Sequence, residues 1–100
     1  MSIDERPGIR KTQHFVSLHP HALRSNEWRV KWPLVIEGRK TTYNPDFICD
    51  ECSVFIEVTT SRQNISDQRK KWAEAVRLGY PLKVYWWEGQ ELHPPDFARD

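Results

Sequence analysis

The segment Tyr43-Asn44-Pro45-Asp46-Phe47, followed closely by Phe55-Ile56-Glu57-Val58-Thr59, constrains this chain more than any other feature. One acid ends an apolar run, and a second lies inside the next run, flanked by Phe55, Ile56 and Val58. In a strand, residues two apart share a face, so Phe55, Glu57 and Thr59 point one way and Ile56 and Val58 the other. A carboxylate among apolar strand neighbours is unfavourable unless something pairs with it, because desolvation disfavours its charged form. Two such acids on neighbouring strands are most simply accounted for by a shared divalent cation, Mg²⁺ or Mn²⁺.

The rest of the chain supplies a frame for these strands. Its 100 residues make a single domain with a real core. The tryptophans Trp28, Trp32, Trp72, Trp86 and Trp87 predict a core rich in indole. Residues 1–12 are polar around Pro7-Gly8 and are expected as an arm. Residues 13–26 carry Phe15, Val16, Leu18, Ala22 and Leu23 and predict a short helix interrupted near Pro20. Residues 28–36 alternate, placing Trp28, Val30, Trp32 and Leu34 on one face, with Pro33 marking an edge or bulge. After a turn at 37–40, residues 41–48 and 54–60 read as two further strands joined by Cys49-Asp50-Glu51-Cys52. Ser66 predicts the N-cap of a helix running to Leu78, with Gly79 and Pro81 ending it. Residues 83–87 are a fourth strand, and 89–100, with Gly89 and His93-Pro94-Pro95, a loose tail. The first three strands predict an antiparallel meander. The strand–helix–strand segment has the length of a right-handed crossover, which makes the last two strands parallel. The fold class is therefore α/β with a mixed sheet.

Charge is unevenly spread along the chain, although the net value is only +1. Residues 1–40 carry eight Lys/Arg against four acids, residues 41–60 four acids and no base, and residues 61–83 six bases against two acids. An acidic centre between basic flanks suits a cation site bordered by a phosphate-binding surface. Arg62, Arg69, Lys70 and Lys71 are the candidate nucleic-acid contacts, and a solvated helix face is the alternative. Cys49 and Cys52 form half of a zinc site, which His14, His19, His21 or His93 would have to complete. No HxxxH pair is present, so two small residues flanking a hairpin turn is the simpler reading. No run approaches the roughly 20 apolar residues of a membrane span. No apolar leader follows Asp4-Glu5-Arg6. The expectation is a cytoplasmic protein, bacterial or, for a phage-encoded chain, in the host cytoplasm, with no membrane partner.

Pro45-Asp46 with Glu57-Val58-Thr59 resembles the PD-(D/E)XK nuclease superfamily. The stretch from Phe55 to Trp87 is similar to virus-type replication–repair nucleases, through Ser66-Asp67-Gln68-Arg69-Lys70-Lys71-Trp72, Gly79 and Val84-Tyr85-Trp86. Residues 27–58 resemble phage junction-resolving and transposon-end endonucleases, which share a Tyr-x-Pro-Asp-Phe strand. The resemblance covers about 60 residues with short motifs. It implies a restriction-endonuclease-like fold and Mg²⁺- or Mn²⁺-dependent endonucleolytic cleavage of DNA, in recombination, repair or mobile-element and phage functions. It also implies Asp46, Glu57 and an upstream acid, Glu27 ahead of Glu5 and Glu37, as metal ligands. The lysine of the family motif is Thr59 here, which can bond through its hydroxyl but supplies no charge. Gln68 and Lys71 are the helix residues implied to orient water or phosphate. Lys71 lies about 60° round the helix from Gln68 and is the candidate for a relocated cation. A domain this small covers little nucleic acid, which favours a homodimer on a branched or palindromic site, or a place in a larger assembly. The alternative is a catalytically degenerate domain that binds DNA or a protein partner.

Overall fold

The computed structural model describes residues 7–27 and 29–97. The expectations for Trp28, for Glu5 and the rest of 1–6, and for the final residues 98–100 lie outside the described residues.

Pro7 opens α1 (Pro7–Leu18), so the second half of the expected arm is helical. Proline is well suited to a first helical position, where its missing N–H would have had no partner. The helix expected within 13–26 is interrupted near Pro20 as anticipated, but it begins at Pro7 and does not resume over 21–26. A short strand, β1 (Arg24–Ser25), follows, and then β2 (Trp32–Ile36) and β3 (Arg39–Tyr43) pair as a hairpin. The turn of that hairpin is only Glu37 and Gly38, both with positive φ (52° and 80°), which matches the twist of a two-residue turn. Arg39 and Lys40 are consequently strand residues rather than part of the turn.

The expected strand over 41–48 is two strands. β3 ends at Tyr43, the Asn44-Pro45-Asp46 segment breaks the ladder, and β4 (Phe47–Cys49) belongs to a different sheet. Pro45 cannot donate to a ladder, and it sits where the chain crosses from one sheet to the other. The three-strand meander is thus two separate antiparallel pairs, β2–β3 and β4–β5. The main sheet has the order β1-β4-β5-β6-β7, with β5 (Val54–Thr59), β6 (Leu82–Trp86) and β7 (Glu91–Leu92). β5 and β6 are parallel, joined by α2 (Arg62–Arg77), as the crossover predicts. The molecule is a small α/β domain with a mixed sheet, and among the described residues no helix is long and apolar enough to cross a membrane.

Alternation along β5 sorts its side chains to two cores. Ile56 and Val58 pack with Phe15 of α1 and Cys49, while Phe55 packs towards Trp32 and the cluster around Trp72 and Ala75 of α2. Glu57 and Thr59 share the α2 face with Phe55. The segment expected as a loose tail closes the second core. α3 (Pro94–Phe97) sets the buried Phe97 ring edge-on to Trp72 at 5.6 Å.

α2 begins a turn earlier than Ser66. Ser61 is extended (φ −156°, ψ 159°), and its hydroxyl accepts the Asn64 N–H at 3.0 Å. At the other end Gly79 has φ +88°, its N–H reaches the Val76 carbonyl, and Tyr80 N–H reaches Ala75, a Schellman ending that needs glycine there. This start is testable by urea unfolding. Ser61→Ala is expected to destabilise the domain by about 1 kcal/mol, while Ser66→Ala should change stability by less than about 0.5 kcal/mol.

Candidate acidic site

The break at Asn44-Pro45-Asp46 places Asp46 at the entrance to β4, directly beside the middle of β5. The Asp46 Oδ2 accepts the Val58 N–H at 3.2 Å, so the acid occupies a ladder position opposite β5. Glu57 is 7% exposed, and its Oε1 accepts the Tyr43 hydroxyl at 2.6 Å. Tyr43 ends β3, so this bond ties the small hairpin sheet to the centre of the large one. The Trp72 indole N–H, buried on α2, faces the same hydroxyl without a formed hydrogen bond.

The two carboxyls lie close enough that each perturbs the other's proton affinity. Burial raises the pKa of Glu57 well above its usual range, and the neighbouring Asp46 charge raises it further. Burial also raises that of Asp46, opposed by the Val58 N–H and by hydrogen bonding with Glu57. Asp46 is exposed to water, so its shift is the softer of the two. Burial first, and then the Glu57 carboxylate, drive the Tyr43 phenol far above its ordinary value, so it remains a donor. Like charges this close titrate as a coupled pair, with the burden of the upward shift on the more buried Glu57.

Glu57 opens onto a pocket of about 250 Å³ lined also by Thr42, Tyr43, Asn44, Asn64, Gln68 and Lys71. Asn64, Gln68 and Lys71 lie at i, i+4 and i+7 on one face of α2. The Lys71 ammonium donates to the Thr42 carbonyl at 3.2 Å. Asp46 lines an adjoining hollow of about 160 Å³ with Glu27, Asn44 and Pro45. Of the residues singled out in the sequence, Asp46, Glu57, Gln68, Lys71 and Glu27 therefore gather around Asn44. Glu27 is exposed, has φ 49° and bonds Arg29.

The others are elsewhere. Thr59 is fully buried, lines neither pocket, and directs its hydroxyl to the Ser61 carbonyl at 3.4 Å. Arg69 and Lys70 line a separate groove on the flank of α2 with Glu37, to which Lys70 is ion-paired. Arg62 is exposed at the first turn of α2. Glu37, the other upstream acid within the described residues, is thus committed to Lys70.

Two residues escaped the sequence reading. Asn64 was hidden by the later helix start, although its spacing from Gln68 and Lys71 was a usable signal. Asn26 is 1% exposed and acts as a clamp on the acidic loop. Its amide donates to the Pro45 and Val30 carbonyls and accepts the Val30 N–H, all at 2.9 Å. Its own N–H donates to the Asp46 carbonyl, also at 2.9 Å. An asparagine in a polar Ser-Asn-Glu run gives no sequence sign that it will be buried.

No protein-family model, curated protein or solved structure matches this chain.

Both acids bind protons more tightly in the folded protein than in the unfolded chain. The stabilisation from this is complete below the ordinary carboxyl values of 3.8 and 4.5 and is lost as pH rises through the raised folded values. Metal-free protein should therefore lose stability as pH rises above the ordinary carboxyl range and through the raised folded values. Glu57→Gln keeps an acceptor for Tyr43 and removes the like charge. Its Tm at alkaline pH should exceed that of the wild type by about 5 °C, the effect of roughly 1 kcal/mol in a domain this size. Thermal melts across this range check the prediction, and an unchanged slope would contradict it.

Proposed function

We propose that the acid pair binds a divalent cation and that the domain is a metal-dependent endonuclease of restriction-endonuclease-like fold, acting on DNA. The observation that carries this reading is the pairing of Asp46 and Glu57, two adjacent carboxyls with raised proton affinity beside a pocket rich in polar donors. Such a pair calls for positive charge. Mg²⁺ requires oxygen ligands and retains several waters. The pocket of about 250 Å³ has room for them, at about 30 Å³ each. The donor set fits a hard cation.

Asp46 and Glu57 would hold Mg²⁺ or Mn²⁺, with Glu27 in reach of the Asp46 side. When bound, the cation supplies charge stabilisation at a phosphoryl oxygen and a more acidic water. The protein's own contributions are distinct. Tyr43 fixes the orientation of the Glu57 carboxylate, and Asn26 holds the backbone that carries Asp46. Asn64 and Gln68 present amides able to orient a water or a phosphate oxygen. Lys71 brings to the same pocket the positive charge that Thr59 does not provide, and it offsets charge that develops on the phosphate. Arg62 is the phosphate contact nearest the start of α2. A homodimer would bring two such pockets to a branched or palindromic site.

One observation favours the second reading, a domain that binds without cutting: Thr59 is buried, bonds the Ser61 carbonyl and does not line the pocket. The same experiment separates the two. Supercoiled plasmid and a synthetic four-way junction are incubated with Mg²⁺ or Mn²⁺ and wild type, Asp46→Asn, Glu57→Gln or Lys71→Ala protein. The nuclease reading expects metal-dependent cutting, abolished in both acid variants and reduced at least 100-fold in Lys71→Ala, with binding retained. Binding without cutting, indifferent to the acid variants, would overturn it in favour of the binding module.

A further inference from the structure

His19, just past the last turn of α1, faces the turn between β4 and β5. Its Nε2 lies 3.3 Å from Cys49 Sγ and 3.8 Å from Cys52 Sγ. All three ligand atoms lie within 4.8 Å of one another. Around a tetrahedral zinc ion, bond lengths near 2.3 Å to sulfur and 2.0–2.1 Å to nitrogen set S···N separations of about 3.5 Å and an S···S separation of about 3.8 Å. The observed distances bracket the S···N value. The cysteines are both free thiols, and the Cys52 N–H donates to Cys49 Sγ at 3.3 Å. A backbone N–H directed at a sulfur is an outer-shell contact of the kind that orients a metal-bound thiolate.

A simple thiol–imidazole hydrogen bond would account for Cys49 and His19. It would not account for Cys52, which is exposed yet turned back to the same nitrogen. The local fold holds the trio together through independent anchors. His19 N–H bonds the Phe15 carbonyl, and its ring packs against Phe15. Cys49 is fully buried as the last residue of β4, and Arg24 of β1 forks onto the Asp50 carboxylate inside the turn.

We propose that His19, Cys49 and Cys52 form a Zn²⁺ site that pins the end of α1 to the β4–β5 turn. Thiolate and imidazole donors select a soft or borderline cation such as Zn²⁺ over Mg²⁺. Three protein ligands leave the fourth tetrahedral position to water or an exogenous ligand. The site is separate from the acid pair. Cys49 and Asp46 lie three residues apart along the chain, roughly 10 Å at strand spacing, and their side chains serve opposite ends of the β4–β5 hairpin.

The test uses the full chain, purified under reducing conditions from zinc-supplemented medium. Elemental analysis is expected to find one zinc per chain. Replacement by Co²⁺ should give a sulfur-to-cobalt charge-transfer band and the visible bands of a tetrahedral ion. Cys52→Ser and His19→Gln alter exposed or half-buried positions, so they are expected to fold. Both should lose stoichiometric zinc and the cobalt bands, whereas Asp46→Asn should keep them. Zinc removal should lower the Tm of the wild type and leave that of Cys52→Ser unchanged. Substoichiometric zinc in the wild type, cobalt spectra without thiolate character, or full zinc occupancy in Cys52→Ser would each overturn the proposal.

Discussion

The carboxylate of Glu57 is the constraint around which the domain is arranged. It sits in the middle of the central strand, where an uncompensated charge is strongly disfavoured. Three elements converge on it. The β2–β3 hairpin delivers the Tyr43 hydroxyl, the break before β4 delivers Asp46, and α2 lays Asn64, Gln68 and Lys71 along the open side. Tyr43 is the only one of these that bonds Glu57 as a neutral donor, and it also joins the two sheets. Asp46 makes matters worse for Glu57 at high pH, and no stability argument explains keeping two acids together. A pair that a neutral replacement is expected to stabilise is characteristic of functional positions.

How much of this was legible in the sequence depends on the range of the interaction involved. The period of two along residues 54–59 correctly put Glu57 on one face with Phe55 and away from Ile56 and Val58, because alternation is local. The crossover length gave the parallel pairing of β5 and β6, and Gly79 gave the helix end. The helix start failed because Ser61 and Ser66 are equally good caps by chemistry. What selects Ser61 is the strand that ends two residues before it. The switch of sheets at Pro45 was invisible for a similar reason. A proline announces that a ladder stops, but not that the next strand joins other partners. Asn26 and Phe97 owe their importance to contacts distant in sequence, with Pro45 and Trp72, which no local pattern records.

The β4–β5 hairpin carries two clusters of unlike chemistry. Oxygen donors gather where β4 begins, and sulfur and imidazole donors where it ends. Hard and soft cations are discriminated by such donor sets rather than by raw affinity. The basic residues divide as well. Lys71 lines the Glu57 pocket, whereas Arg69 and Lys70 lie along the groove shared with Glu37. The cationic stretch at 69–71 is therefore two surfaces of one helix, as its 100° turn per residue requires.

If Asp46 and Glu57 form the proposed coupled cation-binding pair, their titration responds to divalent metal. Carboxyl-carbon NMR titration of the full chain, without divalent cations and then with Mg²⁺, tests it most directly. Glu57 is expected to titrate well above the ordinary carboxylate range in the metal-free protein. Mg²⁺ should move both resonances and shift their titration to lower pH. Ordinary titration of both groups, or resonances and midpoints indifferent to Mg²⁺, would contradict it.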